Sequence, residues 1–178
     1  MSSKLNWKEY CQEYELIEIE VGFGNSCTLP RMANIQPNKL FVGIEILYHF
    51  YLRCKTLNKF ENVIILNADI REEVFSIPTN SISKYYFYFP SPGPITDRIF
   101  TIQFHDEILR TLKNNGVVKI VTDDYLYYKE INKLFIEKIW GYTPWQRLPY
   151  INTDSQVLVD TDCEKKYGAV YHLECYKK

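Results

Sequence analysis

The stretch Glu18-Ile19-Glu20-Val21-Gly22-Phe23-Gly24-Asn25-Ser26 decides the fold. Apolar residues at Ile17, Ile19 and Val21 alternate with period two, the spacing of a strand, and run directly into a Gly-x-Gly turn. About twenty residues later a second apolar run ends in Gly43-Ile44-Glu45. An α/β sheet builds a nucleotide-type site in this way. Glycines at the tip of the first strand bring backbone to the ligand, and an acid at the tip of the next strand accepts from a ribose diol. The bland alternative is an ordinary strand-turn-helix corner.

The ligand class can be narrowed from the same residues. A dinucleotide fingerprint needs a third glycine so that a helix N-terminus can approach the pyrophosphate, and Cys27 stands at that position. Glu18 and Glu20 flank the turn and oppose an anionic pyrophosphate. A cation carrying an amino group and an adenosine, without phosphate, fits better, and S-adenosylmethionine is such a molecule.

At 178 residues the chain is expected to form one domain over 1–178, large enough for a full core. The formal net charge of −1 provides no global basic field to draw it to nucleic acid or membrane. Cys11, Cys27, Cys54, Cys163 and Cys175 form no Cys-x-x-Cys pair, and the scattered set reads as free thiols in a reducing cytoplasm. His49, His105 and His172 are far apart in sequence, and no metal site is expected. Met1 to Tyr14 is polar, unlike a cleavable leader, and no run approaches the roughly 18 apolar residues of a membrane span. A soluble, cytoplasmic protein is expected, as a monomer or homodimer.

Strand and helix patterns alternate along the chain. Leu16–Val21, Leu40–Ile44, Val63–Leu66, Lys84–Phe89 and Val117–Val121 read as strands. Helical patterns fall near Thr28–Asn34, over Leu47 to Leu57, over Arg71–Phe75, over Phe100–Leu112 and from about Tyr127 to about Trp140. Asn114-Asn115-Gly116 reads as a helix stop, and Ala169–Tyr176 as a closing strand. Alternation of this kind predicts an α/β, mostly parallel, doubly wound sheet whose ligands sit beyond the strand carboxyl ends.

The order Glu20-Val21-Gly22-Phe23-Gly24-Asn25, Phe41-Val42-Gly43-Ile44-Glu45 and Asn62-Val63 to Ala68-Asp69 resembles the bacterial tRNA (guanine-N7) methyltransferases. Phe89-Pro90-Ser91-Pro92, Val121-Thr122-Asp123 and Thr161-Asp162-Cys163-Glu164 fall at the later motifs of that family. The resemblance runs from about Leu16 to the C-terminus. It implies the class I, Rossmann-like methyltransferase fold and S-adenosylmethionine as cofactor. Glu20, Gly22, Gly24, Glu45, Ala68 and Asp69 would then meet the cofactor, and Asp123, Thr161 and Glu164 would lie at a guanine pocket. Ser91 and Asp123 are the candidates beside the reacting atoms.

Each residue has an ordinary structural role beside that one. Glu45 could be a solvated strand end, and Asp69 serves equally as a helix N-cap. Asp123 beside Asp124 could simply open the next helix, where its charge suits the dipole. Thr161 and Glu164 could belong to a polar surface.

Departures from the family point to the acceptor. The family carries Pro-Asp-Pro-Trp and then a basic cluster, whereas this chain reads Pro90-Ser91-Pro92-Gly93-Pro94-Ile95-Thr96-Asp97-Arg98. Ser91 replaces the acid, Gly93 the tryptophan and Ile95 the lysine, so a basic loop has become neutral. Ser26 stands where the family usually has a further glycine, and Met1–Val21 is shorter than the usual leading segment. Phosphate contacts supply most of the affinity for nucleic acid. The residues therefore favour methyl transfer to a ring nitrogen of a guanine-like or other small heterocycle. A divergent enzyme acting on tRNA is the second reading, and an inactive cofactor-binding scaffold subunit the third.

Overall fold

The computed structural model of the chain describes residues 5–26, 28–91, 93, 98–136, 140–149 and 169–177. Five strands run parallel: β1 (Ile17–Val21), β2 (Leu40–Glu45), β3 (Val63–Asn67), β4 (Ile82–Tyr88) and β5 (Leu112–Thr122). β6 (Trp140–Pro149) and β7 (Ala169–Lys177) pair antiparallel, and β7 also lies antiparallel to β5. Among the described residues the sheet has seven strands, in the order β3-β2-β1-β4-β5-β7-β6. This is the expected mostly parallel, doubly wound sheet. Its order reverses between β1 and β4, so the connections leave their carboxyl ends in opposite directions and a crevice opens there.

The helices are α1 (Trp7–Glu13), α2 (Leu29–Ile35), α3 (Tyr48–Leu57), α4 (Ile70–Glu73), α5 (Ile102–Thr111) and α6 (Tyr125–Ile136), with a 3₁₀ turn at Val74–Ser76. None among the described residues is long and apolar enough to cross a membrane.

Every residue of β1 is buried, so its period-two pattern separates two packed faces rather than core from water. Ile17, Ile19 and Val21 join Tyr85, Phe87, Phe104, Tyr127 and Phe135 in the main core. Phe41, Tyr86 and Tyr88 pack with Leu29 and Met32 of α2 in the second core, on the Glu18 and Glu20 side. Glu18 is tolerated there because Lys39 Nζ and Tyr86 Oη each donate to it at 2.6 Å. This corrects one expectation: Glu18 is neutralised within the sheet and does not face the glycine turn.

Other departures have local causes. Asn114-Asn115-Gly116 does not stop a helix; it lies inside β5, where Asn115 takes φ 61° and the pairing with β4 jumps from Ile82↔Leu112 to Lys84↔Val117. α6 does not reach Trp140, which instead opens β6. Cys54, buried on α3, is disulfide-bonded, so the expectation of five free thiols fails there; Cys11 and Cys175 are free.

Candidate functional site

The turn after β1 is held by its neighbour strand. Gly22 and Gly24 take φ of +67° and +52°, a conformation that strains any residue with a Cβ. No heavy atom lies within 4 Å of where a Cβ would stand on either, so conformation rather than crowding requires glycine, and the turn remains open to a ligand. Gly22 N donates to Ile44 O at 2.8 Å, and Gly24 N donates to Glu45 Oε2 at 2.9 Å. Leu47 N donates to the other oxygen, Oε1, at 2.9 Å. Glu45 thus fastens the glycine turn to the tip of β2 through one charge-assisted bond, and the bond from Leu47 N orients its carboxylate. An ionised carboxylate has about four acceptor positions, so Glu45 retains capacity toward a diol.

Beyond these tips lies a cleft of about 320 Å³. Gly22, Gly24, Glu45, Ala68, Asp69 and Ser91 all line it, with apolar walls from Val21, Ile44, Phe50, Phe87 and Ile99. Asp69 caps α4 by accepting from Arg71 N at 2.9 Å, and the Arg71 side chain grips the same carboxylate at 2.6–3.0 Å. Partial burial opposes ionisation of Asp69, but the Arg71 hydrogen bonds and charge outweigh it and hold the carboxyl below its ordinary range. Both roles considered for Asp69 therefore coincide in position: it is a cap, and it faces the cleft.

Phe89 introduces strain at the same site. It takes φ 50° immediately before Pro90, although a residue preceding proline prefers extended backbone. Such a conformation costs about 1–3 kcal/mol. A bond from Phe89 N to Val121 O at 2.8 Å holds it, and the bend carries Pro90 and Ser91 onto the cleft wall. Ser91 is exposed, and its Oγ accepts from Gly93 N at 3.3 Å.

Four expected site residues lie elsewhere, or outside what is described. Glu20 is 1% exposed and does not line the cleft; its Oε2 accepts from Thr28 Oγ1 at 2.7 Å, while Oε1 has no hydrogen-bond partner. Burial, more than the neighbouring Glu45 charge, pushes its carboxyl up to about 7 despite the Thr28 bond. Asp123 is exposed at the end of β5 and does not line the cleft either, and Asp124 is the helix cap, accepting from Tyr127 N at 2.8 Å. Thr161 and Glu164 lie outside the described residues. Sequence reading missed Asn67, whose Nδ2 donates to the Glu45 and Ile46 carbonyls at 2.8 and 3.0 Å, and Arg71. The latter had a legible signal in the Asp-x-Arg spacing at the opening of a helix.

A family model described as "Putative methyltransferase" matches residues 14–167. The chain belongs to this methyltransferase family. It is 31% identical over 141 residues to the tRNA (guanine-N(7)-)-methyltransferase of Thermotoga maritima, covering 74% of the chain and 44% of the relative. The protein of that name from Buchnera aphidicola is 35% identical over 138 residues, covering 73% of the chain and 56% of the relative. The chain spans about half the length of these curated relatives. The 16S rRNA (adenine(1408)-N(1))-methyltransferase of Catenulisporales acidiphilia, a W203A mutant solved with its cosubstrate, matches with a TM-score of 0.70 at 13% identity, over 98% of this chain and 92% of that one. Precorrin-6y C5,15-methyltransferase of Geobacter metallireducens matches with a TM-score of 0.63 at 15% identity, over 96% and 85%. At these identities the likeness is one of fold, and the fold is that of the class I, S-adenosylmethionine-dependent methyltransferases.

Proposed function

We propose that the chain binds S-adenosylmethionine in this cleft and directs its methyl group to a ring nitrogen of a guanine-like or other small nitrogen heterocycle. The observation that carries the reading is the open glycine turn fastened to Glu45 at the cleft mouth. Carboxylates at Glu45 and Asp69 suit hydroxyl and amino donors, and the apolar walls suit a nucleoside. An acidic cradle without a third glycine opposes a pyrophosphate and fits a cation.

When bound, the cofactor supplies an electrophilic methyl group. The chain's own contribution is positional. A heterocyclic nitrogen has a free lone pair, so no strong base is required, and holding nucleophile and methyl in line provides most of the acceleration. Ser91, on the cleft wall next to β4, and Asp123, exposed at the end of the adjacent β5, would be the polar groups on the acceptor side. An ionised Asp123 would stabilise the positive charge that develops on the ring. Glu20 would act from behind the turn by holding Thr28 rather than by contact with the ligand. Thr161 and Glu164 would recognise the purine edge.

The small-acceptor reading rests on the loop after β4. Its cation Arg98 is turned inward: it pairs with Glu130, donates to Gly93 O at 3.3 Å and lies 5.5 Å from the Tyr127 ring centroid. It is thereby engaged on the protein rather than presented to phosphate. The second reading, methylation of tRNA, is supported by the names of the relatives above. Methyl-labelled S-adenosylmethionine, incubated with unmodified tRNA and with a panel of small heterocycles, separates the two. Label in small heterocycles alone is expected; label precipitating with RNA would replace the first reading by the second. No transfer, together with retained cofactor binding, would make the chain an inactive scaffold.

A further inference from the structure

Outside the cleft, the described surface carries one unusual aromatic cluster at the carboxyl edge of the sheet. Tyr128 and Tyr171 stack with centroids 4.8 Å apart and planes 12° from parallel. Tyr125 packs against both, at 5.7 and 5.8 Å. Tyr125 is 49% exposed and its neighbour Leu126 69% exposed, so the cluster presents an open ring rather than a core. Lys129 Nζ sits 4.8 Å from the Tyr125 centroid, which places a cation at the rim.

We propose that Tyr125, braced by Tyr128 and Tyr171, is the stacking surface for the methyl acceptor, a flat nitrogen heteroaromatic ring. This rests on the methyltransferase reading above and specifies the class and place of its substrate. Position along the sheet carries the argument. The cleft is closed on one side by Phe87, Phe89 and Ser91, at the end of β4. The acceptor must lie next to the cofactor, and the edge continues from β4 to β5 to β7. Tyr171 pairs with Thr122, the last residue of β5, so the cluster stands at the carboxyl end of that strand. Two strand spacings, about 10 Å, separate β4 from β7.

Facing agrees as well. Val21, Phe87 and Leu173 point into the same core, and Tyr171 is two residues from Leu173. The cleft wall of Val21, Ile44 and Phe87 and the tyrosine cluster therefore lie on the same side of the sheet. Asp123, two residues before Tyr125, is exposed beside this surface, where a carboxylate complements a ring that gains positive charge. The shared chemistry is the ring. It can come from a free nucleoside or from a base extruded from RNA, since aromatic stacking serves both.

The test begins with calorimetry of S-adenosylmethionine on the wild-type chain; no binding there removes the underlying reading and is a separate failure. Guanosine and adenosine are then followed by saturation-transfer NMR, and labelled unmodified tRNA by anisotropy, with S-adenosylhomocysteine present. Tyr125→Ala is expected to weaken ring binding about tenfold or more, to leave cofactor affinity unchanged, and to be rescued by Tyr125→Phe. A deficit for the nucleosides identifies a free acceptor, and a deficit for tRNA alone identifies a base in RNA; either supports the proposal. Equal binding by Tyr125→Ala and wild type would overturn it, as would a cofactor-binding wild type that takes none of the probes. Tyr125 is half exposed, so its truncation does not threaten the fold, and unchanged cofactor affinity verifies that.

Discussion

Two carboxylates on adjacent strand tips have opposite environments, and each makes a prediction. Glu45 accepts from two backbone N–H groups and faces the cleft, so Glu45→Ala removes both the fastening of the glycine turn and a ligand acceptor. Loss of charge-assisted bonds of this kind costs about 1–3 kcal/mol. Calorimetry should show at least a tenfold loss in S-adenosylmethionine affinity, accompanied by a lower melting temperature; undiminished affinity would remove Glu45 from the cofactor site. Glu20 is buried with its carboxyl pushed up to about 7, above the ordinary 4.5. A raised folded value means the native state holds the proton more tightly. Its contribution to stability is therefore full below 4.5 and is lost as pH rises through 7. That displacement corresponds to about 3 kcal/mol. Glu20→Gln should thus gain on the wild type by that order between pH 5 and pH 8 in urea denaturation, and a pH-independent difference would refute the buried-acid description. Comparing variant with wild type is essential, because His172 titrates in the opposing sense. Burial and Lys119 hold His172 down to about 4, and its contribution is lost on acidification. The sequence revealed that both glutamates mattered. It could not show that one faces the cleft and the other a hydrophobic wall, because that depends on which side of β1 receives α2.

At the scale of elements, motifs were legible where chemistry was local and hidden where it was not. Gly43-Ile44-Glu45 was visible as a motif, but the reason for its glycine lies in packing. A Cβ at Gly43 would stand 2.5 Å from Leu29 Cδ1 and 2.9 Å from Phe23 Cε1, the side chains that seat α2 and the turn against β2. Gly43→Ala should therefore lower stability by about 1–3 kcal/mol, the usual cost of overpacking. Cofactor affinity should fall with it, because Phe23 belongs to the turn. A shift in the urea midpoint without loss of affinity would separate packing from site geometry. α1 escaped the sequence reading for the complementary reason. Its N-cap Asn6 makes no side-chain capping bond, and the helix is secured instead by Trp7, buried and donating to Glu73 Oε1 at 2.7 Å from 66 residues away. β6 was concealed by Gly141, Pro144 and Pro149, which break a strand pattern, and its pairing comes from β7. Asn115 misled in the same way, since a residue at positive φ marks a helix end or a strand irregularity equally well.

At the scale of the molecule, chain order and strand order part company at the C-terminus. Chain order alone makes β7 the last element, and its apolar alternation was legible; that it inserts between β5 and β6 was not, because antiparallel insertion depends on long-range pairing. The consequence is mechanical. Leu173 and Cys175 are buried in the main core, and β7 supplies the hydrogen-bond partners of both neighbours, from Val117↔Tyr176 to Thr122↔Tyr171 on one side and from Trp140↔Lys177 to Pro149↔Ala169 on the other. A strand at an edge could fray at little cost, but one paired on both sides cannot. Its removal would bare the edge of β5, detach β6 and expose the core surface that Leu173 covers. A chain ending before Ala169 should therefore lose cooperative unfolding and bind a hydrophobic dye, rather than merely melt a few degrees lower. Cofactor binding should be lost with it, although no described residue of β7 lines the cleft. A truncated chain that melts cooperatively and still binds S-adenosylmethionine would show that the parallel strands β1 to β5 fold independently of the reversed pair.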